Sequence, residues 1–186
     1  TCSITASQAG NANYEAASDV IKTFATRATQ SITFTFFPAD ISFGTNPAGL
    51  GAISTSTLTV AFTTATSGVC TVSGTTVTVV SVGTCTINAN QAGNANYEAA
   101  SQVVQSFAIS MASQTVTFTA PANITYGDTP ASLSATSTSG LVVAFQIVGI
   151  GTSDICTVSG TTVTIKKAGT CTINASQAGN NNYYLA

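Results

Sequence analysis

Histidine and tryptophan are absent from this 186-residue chain, and charge is scarce: four Lys and Arg with six Asp and Glu, 5% of residues, against about 25% in an average soluble protein. Each shortage removes a class of function. Without histidine there is neither a Ser-His-Asp triad nor an imidazole base. The only cations are Lys22, Arg27, Lys166 and Lys167. They make no positive patch for a phosphate backbone, so nucleic acid is excluded as a partner, and the Lys166-Lys167 pair reads as a solvated turn. The acids Glu15, Asp19, Asp40, Glu98, Asp128 and Asp154 form no close pair along the chain, which argues against the two carboxylates of a glycosidase. So few carboxylates also leave little for calcium. No apolar run approaches the roughly 18 residues of a membrane span. The expectation is a protein with no catalytic residues, no cofactor and no metal.

What is present is apolar and uncharged: 44% hydrophobic residues among many Thr, Ser, Asn and Ala. Disorder needs high charge and little apolar content, so this composition folds. A net charge of -2 opposes association only weakly. Internal repetition is the strongest signal. Residues 70-78 (CTVSGTTVT) return at 156-164, residues 83-89 (GTCTINA) return at 169-175, and QAGNANYEAAS stands at both 8-18 and 91-101. Cys2 to Cys85 is 83 residues and Cys85 to Cys171 is 86, the difference being an insertion near 148-153. Such a period is too long for a solenoid, whose units run about 20 to 50 residues, and suits a small sandwich domain of about 100 residues.

Within each repeat the pattern is that of strands. Ile32, Phe34 and Phe36 alternate with Thr33 and Thr35, as Val116 and Phe118 alternate with Thr115, Thr117 and Thr119; a period of two marks half-buried strands. Pro38 and Pro121 end these runs. Turns follow at Phe43-Gly44 and Tyr126-Gly127, then apolar stretches at 50-53 and 133-135, and strands around 58-62 and 141-145. Cys70 and Val72 lie on a further strand, Ser73-Gly74 turns, and Val77 and Val79 alternate with Thr76 and Thr78. After Gly83, Cys85, Ile87 and Ala89 face one way. The insertion around 147-155 is apolar and suggests a packing contact. Ala16, Ala17, Val20, Ile21 and Phe24 fall at helical spacing, but Val103, Phe107 and Ile109 in the later copy keep a period of two, and a strand is preferred. The predicted class is all-β: tandem immunoglobulin-like β-sandwich domains of about seven strands. Residues 1-27 are the C-terminal strands of a preceding repeat, 28-112 a first repeat and 113-186 a second repeat lacking its final strand.

Cys70 with Cys85 and Cys156 with Cys171 stand fifteen apart at equivalent places. Zinc needs four ligands, usually as close Cys or His pairs, and neither exists here. Disulfides are therefore expected over free buried thiols, each worth about 3 kcal/mol for a loop of this length, in an oxidising compartment. Cys2 is left unpaired within the chain.

The string Q-x-[IV]-T-F, then [FY]-G, then S-T-x-L-x-V-x-F or S-G-L-V-V-A-F, then T-V-S-G-T-T-V-T and G-T-C-T-I-N-A-x-Q-A-G-N-x-N-Y resembles the immunoglobulin-like tandem repeats of large secreted or surface-displayed bacterial proteins. The resemblance covers essentially the whole chain. It implies an extracellular or cell-surface location and a role as stalk, adhesin shaft or fibre module. Many relatives carry apolar residues where Cys70 and Cys85 stand.

The reading that follows is a structural module of an extracellular fibre or stalk, with an adhesin or carbohydrate-binding module as the alternative. For a ligand, the loop 91-97 with its copies at 8-14 and 177-183 is the best surface, but a plain turn, which Gly93 and Asn94 suit, is the stronger reading of it. Glycans stay open as partners: 123-125 and 174-176 fit the N-glycosylation sequon. The principal expected partner is more of the same repeat. The missing final strand leaves a groove, to be filled in cis by a longer chain or in trans by the strand holding Val20, Ile21 and Phe24. The in-cis case is preferred, because residues 2-16 duplicate a strand the acceptor already has.

Overall fold

The computed structural model describes residues 2-130 and 132-186, and within them the chain is all-β, with one four-residue helix. Threonine, valine and isoleucine supply the strands, their branched Cβ atoms favouring the pleated backbone. At the N-terminus β1 (Cys2–Gln8) and β2 (Ala17–Phe24) form an antiparallel hairpin in which every strand residue is exposed. The strand preference over a helix at 17-24 is thereby met.

In the first repeat β3 (Ile32–Phe36) pairs with β5 (Gly51–Ser54). β4 (Ile41–Ser42), β6 (Ala61–Thr64), β9 (Gly83–Asn90) and β10 (Val103–Ser110) make a four-stranded sheet in the order β4-β10-β9-β6. β7 (Cys70–Ser73) and β8 (Thr76–Val79) form a hairpin that turns at Gly74, whose φ of 60° suits glycine. One core joins these pieces: Leu50, Cys70, Val77, Cys85, Ile87, Phe107 and Ile109, with Phe34, Phe37 and Phe62 against it.

The second repeat runs β11 (Val116–Phe118) with β12 (Ala135–Ser137), β13 (Ala144–Ile147) with β16 (Ile173–Ser176), and β14 (Cys156–Ser159) with β15 (Thr162–Ile165). Its core is smaller, centred on Leu133, Cys156 and Val163. No helix among the described residues is long and apolar enough to cross a membrane.

Two local expectations need correction. The strands expected around 58-62 and 141-145 begin at Ala61 and Ala144, because Leu58 and Leu141 lie in irregular backbone just after the turns at 55-56 and 138-139. Ser54 Oγ donates to the Leu58 carbonyl at 2.8 Å and Ser137 Oγ to that of Leu141 at 2.7 Å, and side-chain bonds of this kind compete with a strand ladder. The insertion is not a packing contact along its length. It curls into α1 (Thr152–Ile155), with Thr152 Oγ1 donating to the Val148 carbonyl at 2.9 Å, while Ile150 is fully exposed.

Candidate functional site

The Gln-Ala-Gly-Asn loop occurs three times and folds the same way each time. Asn94 Oδ1 accepts the N–H groups of Asn96 at 2.8 Å and Tyr97 at 3.0 Å. Asn180 does the same for Asn182 and Tyr183, and Asn11 for Asn13 and Tyr14. Gly93 has φ 75°, and a Cβ there would stand 2.5 Å from the Tyr97 carbonyl oxygen. Turn geometry thus accounts for the Asn and the Gly of the motif.

A polar knot ties each loop to the start of its own repeat. Gln114, buried, donates through Nε2 to Gln177 Oε1 at 2.5 Å and to the Tyr184 carbonyl at 2.6 Å, and its Oε1 accepts the Ser139 hydroxyl. Gln30 repeats this with Gln91, the Glu98 carbonyl and Ser56. The incoming backbone docks on the same loops: Ala28 N–H donates to the Asn96 carbonyl and Ala112 N–H to that of Asn182, both at 2.9 Å.

The second loop also reaches across to the first repeat. Val82 N–H donates to Asn182 Oδ1 at 3.1 Å, and the Tyr183 ring meets the Phe43 ring edge-on, centroids 5.5 Å apart at 85°. This is a joint made of one hydrogen bond and one aromatic pair. Its counterparts at the far end of each repeat stand open: Tyr126 and Ala168, in the places of Phe43 and Val82, are exposed, and so is Asn96 in the place of Asn182.

The strand Cys-x-Ile-x-Ala reports what surrounds each of its three copies. Cys85, Ile87 and Ala89 are fully buried, lying between β6 and β10. Cys171, Ile173 and Ala175 are half-buried; among the described residues β16 pairs with β13 alone. Cys2, Ile4 and Ala6, with only β2 beside them, are exposed. Beside β16 opens a groove of about 450 Å³, lined by Pro121, Asn123, Ile124, Tyr126, Cys171 and Ile173 among others. In the first repeat Phe107 and Ile109 occupy the matching space, and Asp40, the counterpart of Asn123, accepts the Ala108 N–H at 2.6 Å.

Cys70 is bonded to Cys85 and Cys156 to Cys171, with Cα atoms 5.6 and 5.8 Å apart, and Cys2 is free and exposed. Val20, Ile21 and Phe24 are all exposed on β2. The acids are scattered: Asp154 meets Lys167 at 4.0 Å on the surface, and no group of three or more Cys, Asp or Glu placed to hold a metal exists among the described residues. No family model, curated protein or solved structure matches the chain. Sequence reasoning singled out the loop holding Asn182 and Tyr183 but gave no role in contacts between repeats to Phe43 or Val82, and none in a buried network to Gln30 or Gln114. Their one prior signal was position in the repeat, since the partners lie 25 to 100 residues away in the hydrogen-bonded cases.

Proposed function

We propose that this chain is a structural module of an extracellular fibre, filament or surface stalk, assembled end to end from disulfide-stabilised immunoglobulin-like sandwich repeats. The observation that carries it is the joint. Asn182 and Tyr183 sit in a loop that every repeat possesses, and they grip Val82 and Phe43 at the opposite end of the neighbour, so the same contact can recur along an array. The ladder of β3 with β5 and the four-stranded sheet share one core, which supports a sandwich. Both disulfides support an oxidising, extracellular setting. Each also closes off fifteen residues from extension.

Pulling the chain from its ends by single-molecule force spectroscopy tests this reading. Each repeat should unfold as a discrete event. Reduction should lengthen each release by about 5 nm, fifteen residues at roughly 3.4 Å apiece. Featureless stretching with no unfolding events would contradict it. Specific, repeat-dependent binding on a glycan array would favour an adhesin instead.

A further inference from the structure

We propose that the outer edge of β13 is a lateral docking site for a second copy of this chain, paired with it strand to strand about a two-fold axis at Phe145. The contact is sideways, so it goes beyond the end-to-end joint and does not depend on it. β13 has β16 on one side and, among the described residues, no strand on the other. That edge follows from the order of strands within a repeat: β6, the counterpart of β13, is likewise outermost in the four-stranded sheet of the first repeat.

Edge strands are ordinarily protected by lysine, proline, a bulge or a covering element. Residues 141-151 read LVVAFQIVGIG, without charge or proline, and the charged residues nearest to them in sequence are Asp128 and Asp154. The ladder of β13 with β16 runs without a bulge. Side chains alternate through this run: Leu141, Val143, Phe145 and Ile147 are half-buried, whereas Val142, Ala144, Gln146 and Val148 are exposed, Val142 at 88%. In the first repeat Thr59 and Ala65 stand in the places of Val142 and Val148. The second repeat therefore carries the more apolar edge.

The register follows from which backbone groups are free. Val148 N–H donates to the Thr172 carbonyl at 3.0 Å. Backbone direction alternates along a strand, so residues 144, 146 and 148 bond β16, while the N–H and C=O of Val143, Phe145 and Ile147 point outward. Among the described residues none of these three joins a backbone bond outside the ladder. Leu141 is occupied, because its N–H donates to Ser139 Oγ and its carbonyl accepts Ser137 Oγ. Three outward residues centred on Phe145 match the same three of a second copy: each Phe145 faces the other, and Val143 faces Ile147. Val142 then lies opposite Val148 in the closer kind of cross-strand pair, about 4.5 Å between Cα atoms. Both valines lose exposure, and with no charge on either edge the copies meet without repulsion. Such a contact is self-complementary and closes at the dimer. Seven residues at about 3.4 Å apiece and a sheet about 10 Å thick give roughly 500 Å² over both partners, below the roughly 1,200 Å² of a stable complex. One edge thus associates weakly and reversibly, and copies presented together along a fibre would add their contacts.

Sedimentation equilibrium of the full chain in a Cys2→Ser background, which removes association through the exposed thiol, tests the site and its register together. The parent should dimerise reversibly by about 1 mM. Val142→Lys with Val148→Lys sets lysine opposite lysine twice and should weaken the dimer by about tenfold or more. Val142→Lys with Val148→Glu sets lysine opposite glutamate twice and should retain it. Both positions are exposed, so neither pair of changes disturbs the core. Hydrogen exchange in the parent reports the ladder itself: the amides of Val143, Phe145 and Ile147 should slow as concentration rises, and those of Val60, Phe62 and Thr64 in the first repeat should not. A parent monomeric throughout overturns the proposal. Association that both double variants keep, or both lose, overturns the register, and slowing at β2 or β6 instead of β13 overturns the site.

Discussion

Replacing Gln114 by leucine removes the centre of a buried polar knot with little change in volume. Gln114 is 8% exposed and makes three hydrogen bonds. Its partners do not suffer equally. Gln177 Oε1 keeps the Gly179 N–H at 2.5 Å, and Ser139 keeps Ser137 at 3.0 Å, whereas the Tyr184 carbonyl loses the bond from Gln114. A buried group left without its partner costs about 1 to 3 kcal/mol, and each ordinary bond contributes about 1, so Gln114→Leu should destabilise the second repeat by about 2 to 4 kcal/mol. Gln30→Leu removes the same bonds in the first repeat, but Gln30 is only half-buried. Water can replace part of what is lost there, and about half the cost is expected. Native-state hydrogen exchange read separately at Ile173–Ser176 and Gly83–Asn90 resolves the two repeats. Equal losses in both, or less than about 0.5 kcal/mol for Gln114→Leu, would refute the reasoning.

The two disulfides should differ in access: Cys70 and Cys85 are both fully buried, while Cys171 is half-buried in the groove wall. Limited dithiothreitol followed by peptide mapping should therefore find Cys156–Cys171 opened first, and the reverse order would contradict the packing. Thr57 holds φ 62° where the second repeat has Gly140 at φ 73°; a β-branched residue in that region is strained by about 1 to 2 kcal/mol. After the entropy glycine adds to the unfolded chain, Thr57→Gly should stabilise the first repeat by about 0.5 to 1 kcal/mol in urea titration, and a loss would show the strain to be absent. Gly93→Ala combines φ 75° with a 2.5 Å approach to the Tyr97 carbonyl. It should cost about 2 kcal/mol or more and shift the amide resonances of 94-97; an unperturbed loop would speak against the turn assignment.

The alternation at 83-90 was legible because β9 lies within one repeat: Cys85, Ile87 and Ala89 were expected to share a face, and all three are fully buried. The cysteine pairs were legible for the same reason, a fixed spacing within one repeat. Leu58 and Leu141 misled, because an apolar residue reads as strand while the serines that hold its carbonyl outside the ladder act through hydroxyl bonds that no periodicity records. Nothing in the sequence marked Gln30 and Gln114 as buried, since a glutamine's burial depends on partners across the chain. The joint was hidden more deeply: Asn182 was read only as one residue of the loop 177-183, and its side-chain bond to Val82, 100 residues away, is what gives it a role between repeats. The insertion failed on composition alone, because an apolar run says nothing about whether a surface lies opposite it.

The central claim is that successive repeats are held end to end by the Asn182–Val82 and Tyr183–Phe43 contacts. Residual dipolar couplings of the weakly aligned chain measure this directly. The account predicts that one alignment tensor fits the amides of both repeats, and that Asn182→Ala with Tyr183→Ala splits it into two of unequal magnitude. Two different tensors in the unaltered chain would contradict it.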